Sequence, residues 1–100
     1  TIKHERYNVV HIEELLQMQY GAATAIVLIV TEPGSENHVI EKLRQVEEVT
    51  ESLILFGEYD IFVKLQCPDF GFLSEIVVNV IRNIDGVETT KTLTAAPLLD

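Results

Sequence analysis

The chain has 100 residues, of which 47% are hydrophobic and 23% charged, a composition typical of one small globular domain. Its formal net charge is −9, with seven Lys and Arg against sixteen Asp and Glu. Nucleic acids and anionic membranes are bound through clustered cations, so we expect no direct binding of this chain to either.

The hydrophobic segments and the cysteine content indicate where in the cell the protein is located. The longest apolar run, residues 22–30, is far too short to cross a bilayer, and it lacks the basic flank of a signal peptide. The single cysteine, Cys67, cannot form an internal disulfide and suits a reducing environment. These features predict a soluble, cytoplasmic protein. A domain of this size has a small core, so oligomerisation is a reasonable source of further stability.

The apolar periodicity predicts three helices and four strands. Helices are marked by apolar residues at i, i+3 and i+4, and strands by β-branched runs bounded by Gly and Pro. The gap between the second and third strands is too short for a crossover, which predicts a hairpin. In chain order the predicted elements are a helix over residues 9–20, a strand over 24–31, a helix over 35–46, strands over 49–56 and 60–67, a helix over 70–84 and a strand over 87–95.

The order of these elements predicts an α+β fold of the ferredoxin-like type. Two right-handed crossovers in a β-α-β-β-α-β order put both helices on one face of a four-stranded antiparallel sheet. The N-terminal helix is an addition to this pattern. We therefore divide the chain into an N-terminal extension, residues 1–23, and one domain, residues 24–98.

The sheet is predicted to carry apolar side chains on both faces. In the first strand Ile26, Leu28 and Val30 alternate with the residues beneath the helices, and Phe62 does the same in the third strand. Soluble monomers rarely expose an apolar face of this extent. We predict a homodimer, a dimeric α+β barrel, in which two sheets pack face to face through these four residues. The alternative that the N-terminal helix covers this face stays open.

The segment Gly57-Glu58-Tyr59-Asp60 between the second and third strands has two interpretations. As a turn, Gly57 supplies a positive φ, Asp60 caps the turn and Tyr59 covers the hairpin end. As a binding site, loop amides and Asp60 hold the carboxylate and ammonium of an amino acid, Tyr59 forms a wall, and Glu58 faces the ligand side chain. From the residues alone the turn is favoured.

Two short motifs resemble the C-terminal effector domain of the Lrp/AsnC family, also called the RAM domain. One is the loop segment, similar to the family's Gly-x-Tyr-Asp, and the other is Gly-Val-Glu-Thr-Thr-Lys-Thr at residues 86–92, similar to its Gly-Val-x-x-Thr-x-Thr. The resemblance implies dimers that often assemble into tetramers or octamers. It also implies a small ligand, commonly an amino acid, held between dimers. The candidate ligand-binding residues are then Gly57, Glu58, Tyr59, Asp60, Thr90 and Thr92, with the two threonines contributed by a neighbouring subunit.

The chain also departs from the family pattern. Family members normally carry an N-terminal helix-turn-helix that binds DNA, and residues 1–23 are too short and too acidic for one. We therefore predict an amino-acid-sensing and oligomerisation domain of an Lrp/AsnC-type transcriptional regulator, stand-alone or excised. Its expected partners are a small-molecule effector, further copies of itself and full-length regulators of the same type.

Two other functions remain as alternatives. A small enzyme on a dimeric α+β barrel would need polar catalytic residues between the helices and the sheet, and the positions that we assign there are apolar. An ACT-like amino-acid-binding domain has the same element order, and Gly34 in the first strand–helix loop is compatible with it. We predict no enzyme, no catalytic residue, no metal site and no cofactor, because the three histidines are scattered and Cys67 lacks a catalytic motif.

Overall fold

The computed structural model describes residues 23–95, and the predicted helix over residues 9–20 lies outside them. The described chain forms four strands and two helices in the predicted order. Their bounds are β1 Ala23–Thr31, α1 Glu36–Leu43, β2 Val49–Ile54, β3 Ile61–Cys67, α2 Phe70–Glu75 and β4 Val87–Thr94. A π-helical segment, Ile76–Ile81, continues α2 without a break.

The first strand lies inside a four-stranded antiparallel sheet of order β2-β3-β1-β4. β1 pairs with β3 on one side and with β4 on the other, so Ile29 stands opposite both Ile61 and Thr90. Both helices pack on one face of this sheet. The arrangement is ferredoxin-like and confirms the predicted α+β fold.

The core lies between the sheet and the two helices. Alternation along β1 and β3 sends every second side chain to this side, and the helices meet them with residues spaced three or four apart. The largest fully buried side chains come from both strands and both helices and are Val27, Ile29, Val39, Leu43, Ile61, Val63, Leu65 and Ile81.

The opposite side of the sheet carries a second apolar surface, which we call the helix-free face. The strand register puts its members side by side, since Leu28 is opposite Phe62 and Phe62 is opposite Leu53. Leu53 and Leu93 have 51% and 47% of their surface exposed, although both lie within strands. The apolar members are Ile26, Leu28, Val30, Leu53, Phe62 and Leu93, which include all four residues predicted from the sequence.

Four elements end earlier than predicted. The second helix, with its π-helical segment, ends at Ile81 instead of residue 84, and β4 ends at Thr94 instead of residue 95. β2 ends at Ile54 instead of residue 56, because Leu55 N–H donates to Asp60 O (2.8 Å) and closes the hairpin, after which Phe56 is fully exposed. α1 ends at Leu43 instead of residue 46. Beyond it Val46 N–H donates to Leu43 O, three residues back, so the chain tightens into turns.

The π-helical segment explains how the second helix keeps its buried residues in line. Leu73, Val77 and Ile81 are all buried and lie four residues apart. In an α-helix each four-residue step overshoots a full turn by about 40°, so such a row drifts off the sheet. The wider π turn, in which Arg82 N–H donates to Val77 O (3.0 Å), reduces this drift.

A glycine turn attaches the start of β4 to the loop after β1. Gly86 has φ +97°, and its carbonyl accepts from Glu32 N–H (2.8 Å). A Cβ on Gly86 would lie 2.6 Å from Ser35 Cβ. Gly86 is therefore required both by its backbone conformation and by the close approach of the β1–α1 loop.

Replacing Gly86 with Ala is expected to destabilise the domain more than the same change at Gly34. Gly34 has φ +84° with open space around it, so Gly34→Ala meets only backbone strain, about 1–2 kcal/mol. Gly86→Ala adds a steric clash worth roughly 1–3 kcal/mol. Urea unfolding of both variants measures the difference, and equal losses would show that the contact with Ser35 carries no cost.

Candidate functional site

The loop between β2 and β3 is fixed at its base and open at its tip. Asp60 N–H donates to Ile29 O of the central strand (2.8 Å), which attaches the loop to the end of β1. Gly57 has φ +138°, a conformation that favours glycine, as the turn interpretation predicts. Glu58 is exposed and Tyr59 partly buried. The loop thus offers a carboxylate and a phenol at one end of the sheet.

The Asp60 carboxylate already has a partner inside the chain. Its Oδ2 accepts from Thr31 N–H at 2.8 Å and lies 3.3 Å from Thr31 Oγ1. Thr31 is buried, and its hydroxyl is also 3.5 Å from Glu36 Oε1. A hydroxyl has one proton, so it donates to one of these two acids at a time. Asp60 therefore holds β1 and the loop together through Oδ2.

The two threonines of the last strand lie on the helix side of the sheet. Thr90 is opposite Ile29 and Thr92 is opposite Val27, and both β1 residues belong to the core. Thr90 and Thr92 are each partly buried, and they share one face as the sequence predicts. Thr90 Oγ1 accepts a hydrogen bond from Arg82 Nε (3.1 Å).

Within one chain, β1 separates the loop from these threonines. The loop leads into β3 and the threonines belong to β4, and these two strands flank β1. A surface pocket of about 280 Å³ lies at the start of β4 and includes Thr90 but no residue of the loop. Its lining residues are Arg82, Val87, Glu88, Thr89 and Thr90. This pocket therefore does not join the loop to the threonines within one chain.

Arg82 was not among the candidate site residues, although its side chain contacts one of them, Thr90. The residue is the C-terminal cap of the π-helical segment, eight positions before Thr90, and no motif links the two in the sequence.

In the part of the chain that the structure describes, we looked for a metal site, a reactive cysteine and a membrane-spanning helix. Residues 23–95 contain no group of three His, Cys, Asp or Glu side chains placed to hold a metal ion. Burial raises the pKa of the Cys67 thiol, and the nearby Glu48 and Asp69 carboxylates raise it further. The thiol is therefore protonated at neutral pH and a weak nucleophile. No helix within residues 23–95 is long and apolar enough to cross a membrane.

Removing the Asp60 carboxylate is expected to destabilise the folded chain even without ligand. Asp60→Ala leaves the buried Thr31 N–H without its acceptor, which costs about 1–3 kcal/mol. Glu58→Ala, in the exposed part of the same loop, should change stability by less than about 0.5 kcal/mol. Thermal or urea unfolding checks both, and a neutral Asp60→Ala would mean that the link to β1 is dispensable.

Comparison with known proteins identifies the domain. A family model described as the Lrp/AsnC ligand binding domain matches residues 24–96, through all four strands and both helices. The chain is 31% identical over 77 residues to the regulatory protein AsnC of Escherichia coli strain K12, which covers 77% of this chain and 51% of AsnC. The chain thus spans about half the length of this relative.

Solved structures agree with the sequence match. The crystal structure of FFRP-DM1 superimposes with a TM-score of 0.72 at 35% identity, covering 74% of this chain and 99% of that one. The complex of the transcriptional regulator NMB0573 from Neisseria meningitidis with L-Met has a TM-score of 0.71, covering 87% of this chain and 56% of that one. At 16% identity, the second likeness concerns the fold alone. The family model and the AsnC match together confirm the resemblance seen in the sequence, and the chain belongs to the Lrp/AsnC family as a ligand-binding domain.

Proposed function

We propose that the chain senses an amino acid and couples its binding to oligomerisation in an Lrp/AsnC-type transcriptional regulator. One observation carries the proposal. Groups suited to an ammonium and a carboxylate gather at one end of a sheet whose helix-free face is apolar and uncovered in the described chain. The L-Met complex of NMB0573 and the name of AsnC as a regulatory protein support this reading for the present domain.

The helix-free face is the proposed dimer interface. Burying a fully exposed side chain of this kind contributes about 1.5–3 kcal/mol, and the gain is smaller for residues already half covered by their sheet neighbours. Several such residues must therefore act together to offset the cost of association. The proposed contacts are made by Ile26, Leu28, Val30 and Phe62, with Leu53 and Leu93 at the margins. Two sheets packed in this way form the dimeric α+β barrel.

The proposed ligand site lies where subunits of such an assembly meet. Loop amides near Gly57, the Oδ1 atom of Asp60 and the Tyr59 ring come from one subunit. The hydroxyls of Thr90 and Thr92 come from another, because β1 separates them from the loop within a single chain. Glu58 is exposed at the loop tip and would face the ligand side chain. Its charge would favour a basic or polar amino acid over an acidic one. Tetramers or octamers are the assemblies in which dimers bring these parts together.

An enzymatic function receives less support. The space between helices and sheet is lined by apolar side chains, and Thr31 is the buried polar residue there in residues 23–95. The Thr31 hydroxyl lies within hydrogen-bond distance of the Asp60 carboxylate, so it does not form a catalytic pair with a base. The relatives named above are regulators, which also favours sensing over catalysis.

Thr92→Val is expected to weaken amino-acid binding while leaving the fold intact. A thermal-shift screen of the unmodified chain against the proteinogenic L-amino acids identifies the amino acid that raises the unfolding midpoint most. Loss of one charge-assisted hydrogen bond then lowers its affinity by roughly tenfold to a hundredfold in calorimetric titration. Thr94→Val is the control, since Thr94 lies on the same face of β4, opposite Ala25 and farther from the loop. If no amino acid shifts the midpoint of the unmodified chain, the proposed sensing function is wrong.

Phe62→Lys is expected to dissociate the dimer by placing a charge in an apolar interface. Sedimentation equilibrium at micromolar concentration should give twice the chain mass of 11.3 kDa for the unmodified protein and the monomer mass for the variant. Phe72→Lys makes the same chemical change at an exposed position on α2, away from the helix-free face, and should leave the dimer intact. A monomeric unmodified protein would refute the proposed interface.

A further inference from the structure

The second helix is apolar on part of its exposed surface as well as on its buried side. The large apolar side chains exposed on α2 and its π-helical continuation are Phe70, Phe72, Val78 and Val80. By contrast, the exposed residues of α1, which packs on the same face of the sheet, are all polar and are Asn37, His38, Glu41 and Lys42. A helix that is apolar around most of its circumference is normally buried in a larger structure. We therefore expect a further element to cover part of the second helix.

Two of these apolar residues lie in one row along the helix. Phe70 and Val78 are the most exposed of the four, with 52% and 46% of their surface accessible. Together with Ser74 they are spaced four residues apart, and we call this row the α2 flank. Arg82 follows four residues later, and its Nε donates to Thr90 Oγ1 of β4 (3.1 Å). The α2 flank therefore lies on the side of the helix that faces β4.

The neighbouring part of the sheet is also incompletely covered. On the helix side of β4, Thr94 is exposed, whereas its partner in β1, Ala25, is buried. Thr92 is only partly buried, although Val27 opposite it is fully buried. β4 is an edge strand of the sheet, so the helices cover β1 better than they cover β4. The α2 flank and the helix side of β4 thus border a strip of surface on which one further helix can pack.

The chain enters the described domain at one end of this strip. Ala23, the first residue of β1, pairs with Cys67, the last residue of β3, and α2 begins three residues later at Phe70. The segment that precedes Ala23 is therefore tethered beside the first turn of α2. A segment on a short tether has an effective concentration on the order of millimolar. It competes well for this surface against a second copy of the chain at a lower concentration.

The helix predicted over residues 9–20 has an apolar row of its own. Ile12, Leu16 and Tyr20 are spaced four residues apart, as are the residues of the α2 flank. The predicted helix has twelve residues, and so does the helical segment from Phe70 to Ile81. Both are about 18 Å long at the α-helical rise. The predicted helix can therefore lie along the whole of the α2 flank.

The connection to β1 determines the direction and register of such a contact. Only Gly21 and Ala22 separate the predicted helix from β1, so the chain reverses tightly and the helix runs antiparallel to α2. Tyr20 lies three residues before the start of β1, and Phe70 lies three residues after the end of β3. These two strand ends are paired, which brings the two aromatic residues to the same level. The resulting pairs are Tyr20 with Phe70, Leu16 with Ser74, and Ile12 with Val78.

We propose that the segment preceding Ala23 folds back as a helix over residues 9–20 and docks on the α2 flank of its own chain, above the helix side of β4. The docked helix completes the layer of helices and covers Phe70 and Val78. It lies on the opposite side of the sheet from the helix-free face, which stays available to a second subunit. The inference is independent of any ligand and goes beyond the proposed function.

Cross-linking of the full chain tests where the segment docks. A Cys67→Ala background removes the native thiol, and Leu16→Cys and Ser74→Cys place two new thiols at one predicted contact. A short thiol-specific cross-linker should join them within one chain, which a denaturing gel and the mass of the product reveal. The matched control pairs Leu16→Cys with Leu93→Cys, because Leu93 is exposed on the helix-free face. This control should give no cross-link within one chain.

Amide hydrogen exchange of residues 9–20 provides a second measurement. A free helix of this length is marginal in water, so docking should protect these amides from exchange. Val78→Lys should reduce their protection by about tenfold, which corresponds to the lost burial of one valine side chain. Asn79→Lys places the same charge on the adjacent exposed residue, outside the α2 flank, and should leave the protection unchanged. Amides of β1 and β3 should keep their protection in both variants, which shows that the domain stays folded.

The alternative positions of the segment give different products. A cross-link within one chain between residues 16 and 93 would place the segment on the helix-free face. A product that joins residues 16 and 74 of two chains would place it on a neighbouring copy. Either result overturns the proposal, and so does the absence of both products or unprotected amides over residues 9–20 in the unmodified chain. An internal link between residues 16 and 74, with protection lost in Val78→Lys and kept in Asn79→Lys, supports it.

Discussion

The end of β1 is the fixed point on which the geometry of the candidate site depends. Its backbone accepts a hydrogen bond from Asp60 N–H at Ile29 and donates one to the Asp60 carboxylate at Thr31. One residue later, Glu32 N–H donates to Gly86 O in the turn before β4. The β2–β3 loop and the start of β4 are thus both attached to the same few residues.

The two faces of the sheet differ in what covers them. One face is closed by the helices and accounts for the folded domain, and the other is apolar without a cover in residues 23–95. Because side chains alternate along β1 and β3, the residues that lie between those of the core form the helix-free face. The strand register therefore decides which side chains face the helices and which form the helix-free face. A shift of one residue in the pairing of a strand would exchange its two sets of side chains between these faces.

Periodicity was sufficient to predict the fold from the sequence, since β1 alternates cleanly and the apolar rows of both helices have helical spacing. Element ends were harder, because the bond from Leu55 to Asp60 depends on a loop conformation that no residue pattern reveals. The residues of the candidate loop were identified from the sequence. The hydrogen bond from Thr31 N–H to the Asp60 carboxylate was not, because these residues lie 29 positions apart. The contact between Arg82 and Thr90 was not predicted for a similar reason, because it depends on a helix whose last turns are wider than the α-helical pattern assumes.

The strand order also governs when the domain is able to fold. β1 comes first in the described chain, but its two partners are β3 and β4, and Ala25 pairs with Thr94 near the end. The sheet therefore closes through contacts distant in sequence, which slows folding relative to helical proteins of similar size. During synthesis β1 leaves the ribosome with both apolar faces unprotected until the last strand has followed. The polypeptide spends this interval at its greatest risk of aggregation, and association with a chaperone would be most useful then.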